Sequence, residues 1–368
     1  MGQSITIITL IIIWILSFVE PSGWSMSMNL PDKVNTVLCV LAAVFFVIYP
    51  NRRQNISRLL FLGLLLTFIA IPYMLYGSLQ GASYLVVFLV VYIVSQGRMT
   101  HKVIARSGII IAFLGLVIMY IYTNGSLLSG WNDNAISMVG LFSFIYFSIF
   151  LISQKGKKKF WFWNIITIAY LFLLFETNCR SGMLFSIFAI CGIVFMNTTK
   201  KILNNSRLNI LILNIPMLIA LAVISVASTP YFDILNDWSL EHLEKDIFNG
   251  RDILWENALL QFGTSLGFGM GRFMMNYHNS GIAALSVFGI LGYICWIKYF
   301  LINLKEFRYY LKDRVVLGAM LGFLLIYLQQ SVDLGFIAEY PNLLPYAVLG
   351  IGIGRVRLLR TEALQING

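Results

Sequence analysis

Asn249–Gly281 reads NGRDILWENALLQFGTSLGFGMGRFMMNYHNSG. Arg251, Asp252, Glu256, Arg272 and His278, set among spaced glycines, interrupt a chain that is otherwise oily: 59% of its 368 residues are hydrophobic and 11% charged. That balance lies far from the composition of a soluble globular domain. The apolar runs on either side, Ile210–Ala227 and Gly281–Ile302, are long enough to cross a bilayer as helices, since roughly 17 to 25 residues suffice. The stretch therefore reads as a polar insertion between two membrane spans.

Working outward, the same signal recurs. Spans are expected at Ile5–Val19, Val34–Tyr49, Leu59–Tyr76, Ala82–Ser95, Gly108–Tyr122, Asn134–Ser153, Phe160–Phe175, Ser181–Met196, Ile210–Ala227, Gly281–Ile302, Val315–Val332 and Asn342–Ile353. The fold class is all-α: one polytopic bundle over residues 1–368 with about twelve transmembrane helices and a larger extracytoplasmic segment at 228–280 that holds short helices. The first span is read as retained, because Glu20-Pro-Ser-Gly23 makes a poor cleavage site. No repeat or low-complexity tract divides the chain.

The net charge of +10 does not imply nucleic acid, because the basic residues are scattered through short loops and form no stripe. Orientation accounts for them. With the N-terminus inside, the clusters at Arg52–Arg58, Arg98–Arg106, Lys155–Lys159, Lys200–Arg207, Lys305–Arg314 and Arg355–Arg360 all fall in the cytoplasm. Only Lys33, Arg180, Lys245, Arg251 and Arg272 then lie outside. Both termini are expected in the cytoplasm. The four cysteines, Cys39, Cys179, Cys191 and Cys295, show no CxxC spacing and read as free thiols.

Within the insertion, Asp237 or Ser239 should cap a short surface helix carrying Leu240, Leu243 and Ile247 on one face. A second helix should run from Arg251 to Phe262 and end at Gly263, with Arg251 and Trp255 on one face at i,i+4 spacing. Gly267-Phe-Gly-Met-Gly271 offers backbone amides that can cradle an anion. The hairpin Glu176-Thr-Asn-Cys-Arg-Ser-Gly182 contributes Arg180 at the same rim, either snorkelling, paired with Glu176, or facing a wet cavity. Guanidinium forks suit phosphate oxygens, so Arg180, Arg251, Arg272 and His278 on one side of the membrane point to a diphosphate. His242 should face solvent and His101 should serve only orientation. No DxD-like pair lies outside, and neither metal nor cofactor is expected.

Arg180-Ser181-Gly182 at the start of a span, Gly250-Arg251 with Trp255, Gly267-Phe-Gly-Met-Gly271, and His278-Asn279 before Gly289-Ile-Leu-Gly292 together resemble the O-antigen polymerases and related O-antigen ligases. Cys179 departs from the serine expected there. The resemblance implies a glycosyltransferase of the inner membrane whose site faces outside. Its donor would be an undecaprenyl-diphosphate-linked oligosaccharide, its surroundings membrane lipid, and its further partner a chain-length regulator protein. Arg180 and Arg251 would hold the diphosphate and His278 would lie at the reacting centre, as a base or a phosphate ligand. Arg272, Gly269, Gly271, Trp255 and Asn279 would bind substrate, Trp255 by stacking on a sugar or by anchoring in the interface. Glu241, Asp252 and Glu256 are alternative bases. A ligase with a different acceptor, and a transporter or flippase for the same lipid-linked sugars, are the competing readings.

Overall fold

The computed structural model describes residues 2–19, 63, 66–78, 80–124, 133–153, 160–177, 179–243, 246–248, 250–274, 277–329, 337 and 343–366. The expected span Val34–Tyr49, the first part of Leu59–Tyr76 and Cys39 lie outside the described residues. The helices are α1 (Gln3–Val19), α2 (Ile71–Tyr76) entered through a π turn at Leu66–Ala70, α3 (Val86–Ser95) entered through a 3-10 turn at Gln80–Leu85, α4 (His101–Asn124), α5 (Asp133–Ser153), α6 (Phe160–Glu176) and α7 (Arg180–Val194). They continue as α8 (Met196–Leu203), α9 (Ser206–Ala227), α10 (Pro230–Leu243), α11 (Arg251–Thr264), α12 (Ser280–Arg308), α13 (Arg314–Gln329) and α14 (Leu344–Ile366). Among the described residues there is no strand.

By length and composition α4, α9, α12 and the Ile136–Ser153 part of α5 can each cross a membrane, and α7 with α8 makes a fifth if that bent pair is one span. The outer faces agree with a bilayer as solvent. Exposed apolar residues recur at helical spacing as Ile5, Ile8, Ile12 and Ile15 on α1, Ile110, Phe113, Val117 and Tyr120 on α4, and Ile165, Ile168, Phe172 and Phe175 on α6. A helix that is apolar all round belongs in a membrane or deep in a core.

Inside, α5 is the central helix, packed on α4, α6, α7 and α13. Close approach uses small residues, as at Gly318, where a Cβ would sit 3.1 Å from the Ile149 Cα. Buried polar groups find partners across helices: Trp14 Nε1 donates to Ser143 Oγ at 2.9 Å, Tyr170 OH to the Ala112 carbonyl at 2.6 Å, and Tyr327 OH to the Leu213 carbonyl at 2.5 Å. The tyrosine pair Tyr84 and Tyr346, with Trp296 Nε1 donating to Tyr84 OH at 3.0 Å, ties the entry of α3 to α12 and α14.

Several expected boundaries shift. The insertion's first helix begins at Pro230, so Asp237 and Ser239 lie within it and not at its start. Proline suits a first helical turn, where the N–H it lacks would be unpaired anyway. Gly263 is inside α11, which ends at Thr264 with Ser265 as its C-cap. The chain turns by 102° between α7 and α8. α12 is broken at Gly289 (φ 69°, ψ −176°), and α14 runs well past Ile353.

The two ends of the bundle differ. At one, Arg355 donates to Asp313 Oδ2 through Nη2 at 2.7 Å and Nε at 3.1 Å and sits 3.1 Å from His101 Nε2, Arg98 N donates to Thr6 Oγ1, and Arg360 pairs with Glu306. The N-terminus, the loop before α4, the α12–α13 turn and the last helix thus meet at one basic pole. His101, expected only to set orientation, is part of this network.

Candidate functional site

Where α11 enters α12, Gly250 sets the start of α11 in a left-handed conformation (φ 72°) that leaves Arg251 and Asp252 as its first residues. One turn on, Trp255 is buried and its Nε1 donates to the Tyr277 carbonyl at 2.6 Å. Tyr277 OH is in turn 3.1 Å from Gln261 Oε1 and 3.1 Å from Ser286 Oγ. This part-buried triad joins α11, the connecting loop and α12. It fixes the residue that follows Tyr277, which is His278.

His278 is the focus of the site. It is a non-glycine residue with φ 49°, and its Nδ1 is buried without a hydrogen-bond partner among the described residues. Burial pushes its pKa below the ordinary histidine value, and the Arg251 charge pushes it the same way. The neutral imidazole is therefore favoured. Strained backbone and an unmet buried nitrogen are features that a stable fold tolerates mainly at functional positions. Asp252 Oδ1 is likewise buried and unpartnered. Glu241 and Glu256 are exposed, and His242 is exposed and stacked on Trp238.

The glycine loop does something other than cradle an anion. Gly267, Gly269 and Gly271 all have positive φ, and every amide from Leu266 to Gly271 is engaged. Leu266, Gly267 and Phe268 donate to the carbonyls of Gly263, Phe262 and Ser265, and Gly269 to Ser265 Oγ. Met270 N and Gly271 N donate to the Ser286 and Val287 carbonyls at 2.9 and 2.8 Å, while Ile290 N donates back to the Gly267 carbonyl at 3.0 Å. The loop thus fills the hydrogen bonds that the break at Gly289 leaves open. Gly289 is nine residues into α12, about 13 Å along it at 1.5 Å per residue. Irregular backbone at such depth must be satisfied by protein, which leaves no amide of Gly269 or Gly271 for substrate. Gly81 N and Ser78 Oγ hold the Gly271 carbonyl from the far side, at 2.8 and 3.1 Å.

Two other expected contacts change in the same way. Trp255 is enclosed by protein and cannot stack on a sugar. The Asn279 side chain caps α12 by accepting from Ile282 N at 3.0 Å and donates to the Pro216 carbonyl at 2.8 Å, which docks the start of α12 on α9. Gly281 permits that contact, because a Cβ there would lie 2.7 Å from Met217 N. Arg272 is exposed beside the glycine loop.

Arg180 is the first residue of α7, after an extended Cys179 whose Sγ lies 3.3 Å from Ser181 Oγ. α7 packs on α13, α13 on α9, and α9 on both α11 and α12. Gln329 at the end of α13 donates to Ser181 Oγ at 3.4 Å. The structure brings together His278 and Arg251; Arg180 begins α7 at the end that meets the end of α13. Sequence reasoning missed Gln261, Tyr277, Ser286, Ser78 and Gly81, whose partners are distant along the chain or are main-chain atoms. Cys179, Cys191 and Cys295 are free thiols. No protein-family model, curated protein or solved structure matches the chain.

Proposed function

We propose that the protein is a membrane glycosyltransferase that polymerises undecaprenyl-diphosphate-linked oligosaccharide repeats on the outer face of a bacterial cytoplasmic membrane. The observation that carries this reading is His278: neutral, strained, its Nδ1 unmet, and held within reach of the Arg251 charge by the Trp255–Tyr277 contact. A neutral imidazole beside a guanidinium is a proton acceptor next to an anion site. A hydroxyl of one lipid-linked repeat forms the new bond to the anomeric carbon of another. The bond from that carbon to the diphosphate oxygen breaks, the diphosphate keeps the electron pair, and the hydroxyl proton passes to His278. Arg251, with Arg180 from α7, meets the charge of the leaving diphosphate, and Arg272 guards the rim. Gly269, Gly271, Trp255 and Asn279 act by holding this arrangement.

Reconstitution in liposomes with one defined lipid-diphosphate-linked repeat tests the reading. A ladder of glycans is expected from the repeat alone, and Arg251→Ala should lower its rate by about 10²–10³-fold, the usual loss for one group stabilising a developing charge. The absence of any ladder, or a strict need for a second kind of acceptor, overturns the polymerase.

A further inference from the structure

At the basic pole, away from His278, the chain forms a cavity of about 560 Å³ lined by Asn197, Lys200, Lys201, Asn204, Arg308, Tyr309, Leu311 and Lys312. The four cations come from two separate parts of the sequence, α8 and the end of α12 with the turn after it, and no acidic side chain lines the cavity. The acids that flank its lining in sequence, Glu306 near the end of α12 and Asp313 in the α12–α13 turn, are already taken, by Arg360 and Arg355. Arg308 Nε is buried and has no hydrogen-bond partner among the described residues. The residue itself is half-buried and lines the cavity, so the rest of its guanidinium is open to an oxyanion there.

The shape of the surroundings says which kind of anion. α8 leaves α7 at 102°, so if α7 runs across a bilayer, α8 lies along its surface. The bend is held by Thr199 Oγ1 donating to the Gly192 carbonyl at 3.1 Å and by Asn209 Nδ2 donating to the Leu203 carbonyl at 3.1 Å. Val194 and Phe195 at the corner, two to three residues before the cavity-lining Asn197, are exposed apolar side chains. Cations and apolar surface thus adjoin, as they must to hold a molecule with an anionic head and hydrocarbon tails. A free phosphate would use only the first.

We propose that this cavity binds the phosphate headgroup of an anionic phospholipid from the leaflet at the basic pole, with Lys200, Lys201, Arg308 and Lys312 around the phosphate and the acyl chains against Val194 and Phe195. The site is independent of the glycosyl-transfer reading. The purified full chain would be analysed by native mass spectrometry after mixing with phosphatidylglycerol, with phosphatidylcholine and with glycerol phosphate. Retention of phosphatidylglycerol at least tenfold above phosphatidylcholine is expected, with little displacement by glycerol phosphate. The K200Q/K201Q/R308Q/K312Q variant should lose that preference, and K200R/K201R/K312R should keep it, which separates loss of charge from loss of fold. Equal retention by the neutralised variant and the parent overturns the site. Equal retention of phosphatidylcholine overturns the headgroup assignment, and displacement by glycerol phosphate at matched concentration overturns the lipid in favour of a soluble phosphate.

Discussion

His278 combines three costs in one residue. A φ of 49° places it in a region that disfavours most side chains by about 1–3 kcal/mol, its Nδ1 is buried without a partner, and its ring lies in the field of Arg251. The last two have a consequence for pH. Burial first, and Arg251 second, keep the folded-state pKa below the ordinary 6.5. The unfolded chain thus binds a proton at a pH where the folded one does not, so this residue's contribution to stability is complete above pH 6.5 and is lost as pH falls from there to the folded-state value. Arg251→Gln removes one of the two causes, and the His278 ring should then titrate at higher pH by NMR. An unchanged midpoint would mean that Arg251 does not act on the ring. Both residues stood out as candidates in the sequence, because ionisable side chains on the expected outer side of an oily chain are few. Trp255 and Asn279 were legible as positions but not as roles: whether an indole N–H meets a sugar or the Tyr277 carbonyl depends on a contact 22 residues away.

At the scale of elements, the decisive feature is the meeting of the glycine loop with the broken α12. Gly269 and Gly289 face each other so closely that a Cβ on either would overlap the other's backbone segment, and both have positive φ. Gly289, at ψ −176°, occupies a region open almost only to glycine. Gly269→Ala and Gly289→Ala should each destabilise by about 2 kcal/mol or more, from strain and overpacking together. Gly263, by contrast, is helical with nothing within 4 Å of a built Cβ, so Gly263→Ala should stabilise by about 0.5–1 kcal/mol. Thermal unfolding in detergent compares the three, and equal melting of all would refute the latch. Apolar runs and their ends foretold most of the helices, since hydropathy and turn residues are local properties. The break in α12 and the corner at Phe195 were not foretold: an apolar run reads alike whether straight or bent, and what bends it comes from elsewhere in the chain.

For the whole molecule, the ion pairs and hydrogen bonds around Arg355, Asp313 and Thr6 gather the N-terminus, the loop before α4, the α12–α13 turn and α14 at one pole. The orientation proposed above puts that pole in the cytoplasm and His278 outside. In a background with the four native cysteines replaced by serine, Arg272→Cys should react with an impermeant maleimide on intact cells, and Thr361→Cys only after permeabilisation. The reverse pattern would invert the molecule and place the proposed chemistry on the wrong side. Asp313 adds a detail: burial alone would raise its pKa, but the Arg355 hydrogen bonds and charge outweigh it and hold the carboxyl below its ordinary value. The pole therefore keeps its ion pair well into acid, and loses the stability it confers only as pH falls through that lowered value.

The break in α12 also bears on how the protein is made. Hydrocarbon by itself favours an unbroken helix through Ser280–Arg308, because that alone would satisfy the main chain without outside help. The bend must then be taught to the helix by Gly267–Gly271, and the ribosome makes that teacher first. When α12 emerges, the template for its shape is already in place, so the order of synthesis matches the order in which the information is needed.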